Sequence, residues 1–73
     1  VADKYIPIAC QLYDKLEELA VKKVKTKITY LDYYEEKVVE DFIVDFRTKN
    51  KEEFLILANG IEIRLDKIIT LEN

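Results

Sequence analysis

The 73-residue sequence has no histidine, methionine or tryptophan, and only one cysteine, one glycine and one proline. Each shortage excludes a class of chemistry. Without histidine the commonest general base near neutral pH is missing. One cysteine with no histidine cannot assemble a Cys/His metal site. Glycine-rich phosphate cradles need several glycines, and Gly60 stands alone. Cys10 has no partner for an internal disulfide, and a small domain without cross-links suits a reducing compartment, so the expected location is the cytoplasm. Cys10 itself is expected to be a small buried side chain at the start of a helix, not a reactive thiol. The longest apolar run, Phe54 to Ala58, falls far short of the roughly 20 residues of a membrane span. Asp3 and Lys4 precede any apolar stretch, unlike the start of a signal peptide.

What remains for catalysis is carboxylates: Glu35-Glu36, Asp41 with Asp45, and Glu52-Glu53. They fall in predicted turns or on solvent faces, where carboxylates are ordinary surface charge, and no looped set of oxygen ligands suggests calcium. The expectation is therefore a binding domain and not an enzyme, with no cofactor and no metal. Hydrophobic residues make up 49% of the chain and charged residues 37%, which fits one soluble domain with a dense core. The formal charge is −3 and the isoelectric point about 4.9. Such a surface repels nucleic acid and anionic lipid on average and attracts basic surfaces.

Pro7 holds Ile6 out of the helical region, so the first nine residues read as an extended lead-in. From Cys10 to Lys22 the period is helical: Leu12, Leu16, Leu19 and the stem of Lys23 share one stripe, widened by Tyr13 and Ala20. From Val24 the period becomes two. Thr26, Ile28 and Tyr30 alternate with Lys25, Lys27 and Thr29, and a turn follows at Asp32 to Glu36. Val38, Glu40, Phe42, Val44 and Phe46 then predict the inner face of one long strand reaching Arg47. After a polar loop from Thr48 to Lys51 comes the apolar strand Phe54 to Ala58. Asn59-Gly60 is a pair suited to a tight hairpin turn. Ile61 to Leu65 and Ile68 to Leu71 complete the set. The sequence thus predicts one domain over residues 1–73, mainly β (α+β): a helix over about 10–22, then five antiparallel strands over about 24–71 curled into a small Sm-like or OB-like β-barrel. The N-terminal helix and the short gap between the last two strands favour the Sm-like form.

Two segments carry a resemblance. The run Tyr5-Ile6-Pro7-Ile8-Ala9-Cys10-Gln11-Leu12-Tyr13-Asp14-Lys15-Leu16-Glu17 is similar to the opening of the Rof family, whose pattern is Tyr-x-Pro-Ile-x-Cys-x-x-Tyr-Asp-x-Leu-Glu. Glu53-Phe54-Leu55-Ile56-Leu57 and Arg64-Leu65-Asp66-Lys67-Ile68 resemble the family's closing strands. The middle agrees only in length and pattern. Rof proteins are Sm-like inhibitors of the bacterial transcription termination factor Rho, a hexameric helicase whose RNA sites they block. The resemblance implies a bacterial, cytoplasmic antitermination protein that binds Rho through an acidic surface including the helix. Asp14 and Glu17 match the motif and would contact the partner, with Glu18 beside them. The sequence departs at Gln11, where the family carries Asp.

The residues also admit plainer readings. Asp14, Lys15, Glu17, Glu18 and Lys22 form an ordinary solvated helix face, with Glu18 and Lys22 spaced for an i, i+4 pair. Lys22, Lys23, Lys25 and Lys27 form a basic cluster, and Tyr33 and Tyr34 could stack on bases, which is the alternative of an Sm-like RNA-binding protein. The acidic balance disfavours direct nucleic-acid binding. Ring formation through strand edges is opposed by Lys37, Lys49 and Lys51 near strand ends, so a monomer is expected.

Overall fold

The computed structural model describes residues 4–72, so the start of the predicted lead-in and the last residue lie outside the described residues. Helix α1 runs Cys10–Val21. Ala9 enters it from an extended conformation and no side chain caps it, so packing and not capping holds this end. Leu16 and Leu19 are buried, with Leu12, Tyr13 and Ala20 packed around them. The other end closes by a hydrogen-bonded reversal. The Lys23 N–H donates to the Ala20 carbonyl at 3.2 Å and the Val24 N–H to the Leu19 carbonyl at 3.1 Å, which is the Schellman arrangement. It forces Lys23 to φ 55°. Lys23 is consequently exposed and does not extend the apolar stripe as its spacing predicts; Val24 packs on the core instead.

The strands are β1 (Thr26–Asp32), β2 (Glu35–Asp41), β3 (Ile43–Lys49), β4 (Glu52–Leu57), β5 (Glu62–Arg64) and β6 (Ile68–Glu72), with a 3₁₀ turn, Leu65–Lys67, before β6. All pairings are antiparallel and form two three-stranded sheets, ordered β2-β1-β6 and β3-β4-β5. The α+β class stands; the five-stranded closed barrel does not. Among the described residues there are six strands, and the two sheets do not close into a barrel. The cause is local. The single strand expected across Val38 to Arg47 breaks at Phe42, whose N–H donates to Asp41 Oδ1 at 2.8 Å. Its carbonyl accepts the Ala58 N–H at 2.9 Å. Asp41 also accepts the Asn59 N–H at 2.9 Å, so one carboxylate ties the break to the β4–β5 turn.

The inner face expected for this segment is also corrected. Val39 and Ile43 face inward, while Val38, Phe42 and Val44 are exposed. A register irregularity between Ile43 and Asp45 then shifts the parity, so Phe46 packs on the core as expected. Apolar residues at both parities, Val38-Val39 and Phe42-Ile43-Val44, leave the alternation without a unique solution, and a one-residue slip exchanges the faces.

One core results. Leu16 and Leu19 of α1 bury with Ile28, Ile43, Leu55, Leu57, Ile63 and Leu65. Thr26 is buried among them, its hydroxyl donating to the Val24 carbonyl at 3.0 Å. The turns follow the backbone each needs. Asn50 and Lys51 both take positive φ, 52° and 64°, between the paired Lys49 and Glu52, as a type I′ hairpin requires. The predicted Asn59-Gly60 pair belongs to a three-residue loop with Ala58. The Gly60 N–H donates to the Leu57 carbonyl and the Leu57 N–H to the Ile61 carbonyl, both at 2.9 Å. Gly60 takes φ 92°, and Asn59 Oδ1 accepts the Ile61 N–H at 2.9 Å.

The lead-in is fastened to the end of the chain. The Tyr5 hydroxyl donates to Glu53 Oε1 at 3.0 Å and the Ile6 N–H to Asp66 Oδ2 at 3.0 Å. Asp66 also accepts Arg64 Nε at 2.6 Å and NH2 at 2.9 Å. Residues of the opening motif and of the closing motifs therefore meet in one polar cluster.

Candidate partner-binding surface

Asp14, Glu17 and Glu18 project from α1, and all three are exposed. Their i, i+3, i+4 spacing sets them side by side on one face. Their electrostatic states differ. Glu18 Oε1 lies 3.7 Å from Lys22 Nζ, an exposed i, i+4 ion pair. Asp14 and Glu17 make no ion pair or side-chain hydrogen bond among the described residues. The negative charge of Glu17 is felt by its neighbour: the Tyr13 hydroxyl pKa is raised, mainly by burial and then by Glu17 and Glu53. Tyr13 in turn packs on Phe46 of β3, with ring centroids 5.5 Å apart.

That contact brings the helix against β3 and adds a carboxylate to the face. Glu17 and Asp45 line one shallow groove with Ala20, Val21, Val44 and Phe46. Asp45 accepts the Phe46 N–H at 2.8 Å and has no cationic partner among the described residues. It is the site residue that sequence reasoning passed over. The Asp41/Asp45 pair was visible, but nothing in a strand pattern reports that the bend turns one of them toward the helix.

Gln11, where the resembling family has Asp, is exposed one turn before Asp14 and Lys15. Cys10 is exposed, contrary to the expected buried joint; in the first turn of α1 it is Leu12 and Tyr13 that pack on the core.

The lysines of the RNA-binding alternative are not brought together with its tyrosines. Lys25 and Lys27 flank buried Thr26 and lie exposed at the start of β1. Lys27 approaches Glu72 at 4.0 Å and stands opposite Glu40. Lys22 faces Glu18. Tyr33 and Tyr34 form the β1–β2 turn, 87% and 100% exposed, at the other end of the same strand. Six residues at about 3.3 Å each put them about 20 Å from Lys27. They border a separate open cleft of about 440 Å³ with Tyr30, Phe54, Glu52 and Arg64. The Glu52 and Arg64 charges there answer each other at 3.4 Å.

Among the described residues no three His, Cys, Asp or Glu side chains gather as a metal site, and no helix is long and apolar enough to cross a membrane. No protein-family model matches the chain, and no curated protein matches it.

Proposed function

We propose that this protein inhibits Rho-dependent transcription termination by laying the acidic face of α1 on Rho's RNA-binding surface. The observation that carries the reading is the state of Asp14 and Glu17: exposed carboxylates on a helix packed against the core, with no ion pair to a cation among the described residues. A surface that grips RNA presents lysine and arginine to phosphates. Carboxylates fixed on a helix offer those groups the same charge without the strand, so the inhibitor competes with RNA and alters nothing covalently. The net charge of −3 steers the encounter. Asp45 next to Glu17 restores to the face part of the charge that Gln11 does not carry.

Two further features support the Rof-like, Sm-like reading. The resembling segments cover both ends of the chain, and Tyr5, Glu53, Arg64 and Asp66 from those segments form one cluster. The strands run β6-β1-β2 and, across the single residue Phe42, β3-β4-β5. That order is the one an Sm-like barrel would have if its long strand were split at the bend and its seam left open. The protein acts as a bacterial cytoplasmic monomer in this reading. The separation of the lysine cluster from Tyr33 and Tyr34 gives the RNA-binding alternative no continuous track.

The test is Rho's RNA-dependent ATPase and termination activity with and without the purified protein. Wild type inhibits both, and the combined Asp14→Lys and Glu17→Lys variant does not. Equal inhibition by that variant removes the helix from the site; no inhibition by wild type removes the function.

A further inference from the structure

We infer that the groove between the C-terminal half of α1 and the start of β3 seats an apolar side chain of a basic protein partner, with Glu17 and Asp45 pairing the lysine or arginine beside it. The inference deepens the acidic-face reading above and rests on it.

Three large apolar side chains converge here and are left uncovered: Val21 at 80% exposure, Val44 at 58% and Phe42 at 39%. The hollow holding Ala20, Phe42, Val44 and Ala58 measures about 470 Å³, within the range of binding clefts. It is continuous with the Glu17–Asp45 groove through Ala20 and Val44, which line both. Ile43 takes the inward position, so its neighbours Phe42 and Val44 face out and stay exposed. Phe42 and Val44 belong to the face that alternation predicts inward, and the break at Phe42 turns them out. Clustered exposed apolar side chains on a small domain mark a contact surface, whereas scattered ones do not.

The rim identifies the occupant. Glu17 and Asp45 at one end carry negative charge with no cation answering it among the described residues. A phosphate backbone is repelled there. A second copy of this chain also carries −3, so like net charge opposes its approach to this acidic rim. A protein segment with an aliphatic or aromatic anchor and an adjacent lysine or arginine satisfies both parts. Lys23 borders the opposite end, so the basic residue of the partner lies toward Glu17 and Asp45. At Phe42 the backbone offers a partner nothing to pair with, because its N–H and carbonyl are already engaged by Asp41 and Ala58. Interfaces of this composition concentrate affinity in the apolar anchor and specificity in the flanking charge.

The experiment uses purified Rho hexamer and the full chain, with affinity measured by calorimetry at low and high salt. Val21→Ser combined with Val44→Ser is compared with Asp14→Lys, and Val44→Thr serves as a shape-preserving variant; circular dichroism and urea unfolding verify folding. The serine pair is expected to weaken binding about tenfold or more at both salt concentrations, since the contact it removes is apolar. Val44→Thr is expected to weaken it in the same direction by a smaller factor. The effect of Asp14→Lys shrinks at high salt. If the folded serine pair and Val44→Thr bind Rho as tightly as wild type, the groove assignment is overturned while the acidic face stands. If wild type does not bind Rho, both fall together. If wild type sediments as a dimer that the serine pair dissociates, the groove is a contact between copies and the assignment is wrong.

Discussion

Replacing Arg64 with leucine tests how the two ends of the chain are held. The Arg64 side chain is 12% exposed and that of Asp66 9%, so this is a largely desolvated pair. Two of its contacts are the Nε–Oδ1 and NH2–Oδ2 hydrogen bonds, at 2.6 and 2.9 Å. Glu52 Oε2 lies 3.4 Å from NH1, and the guanidinium sits 5.7 Å from the centre of the Tyr5 ring. The Arg64 pKa is raised, chiefly by the hydrogen bond to Asp66, which outweighs the opposing effect of burial. Leucine keeps much of the volume but leaves Asp66 with only the Ile6 N–H of the hydrogen bonds described, at 3.0 Å. Losing a charged hydrogen-bonded partner at such a part-buried site costs about 1.5–3 kcal/mol. A 73-residue domain has a total stability of about 4–11 kcal/mol, so Arg64→Leu is expected to remove a sizeable share of it. Urea unfolding followed by circular dichroism reads the change as a fall in midpoint with an unchanged slope. Most of the cost is the charge left behind, so adding Asp66→Asn to Arg64→Leu costs little more than Arg64→Leu alone. A loss below about 1 kcal/mol, the range of an exposed ion pair, refutes the reasoning, and so does full additivity in the double variant.

Tyr5 is expected to ionise late, its pKa raised from 10.0 to about 12 by burial, then by its hydrogen bond to Glu53, with Glu53 and Asp66 adding negative charge and Arg64 opposing them. Because folding raises this pKa, the stability tied to the proton is intact below pH 10 and is lost as pH rises toward 12. Ultraviolet titration of wild type against Tyr5→Phe checks this: the latest-ionising component disappears in the variant, and an unchanged curve contradicts it. Lys23 sits at φ 55° in the helix-closing turn, where a side chain costs about 1 kcal/mol relative to glycine. Lys23→Gly is therefore expected to raise the melting temperature by about 4–8 °C, and a fall shows that the lysine side chain has a role there. Glu18→Gln breaks an ion pair of 3.7 Å between exposed groups and is expected to change stability by less than about 0.5 kcal/mol. It should also reduce Rho inhibition less than Glu17→Gln does, and the reverse order contradicts the weight given to Glu17.

The helix was legible because Leu12, Leu16 and Leu19 repeat at its period, and its end fell within one residue of expectation. Gly60 was legible as a position of positive φ. The sheet arrangement was not, and the reason is physical. Phe42-Ile43-Val44 is apolar at every position, so alternation cannot say which face is inside, and the break depends on Asp41 reaching Phe42 and Asn59, a contact between distant residues. Positive φ at Lys23, Tyr33, Asn50 and Lys51 is carried by side chains that give little or no local signal. Of the site, Asp14, Glu17 and Glu18 could be placed on one exposed face by counting residues. Asp45 and the uncovered Val21, Phe42 and Val44 could not, because their convergence exists only after β3 docks beside α1.

The most direct measurement follows a fluorescent RNA leaving Rho as this protein is titrated in, read by anisotropy across a range of salt concentrations. Displacement that strengthens as salt is lowered, and that Asp14→Lys with Glu17→Lys abolishes, is the predicted result. RNA that stays bound at low salt in the presence of excess folded protein contradicts the claim that this helix takes the place of a transcript.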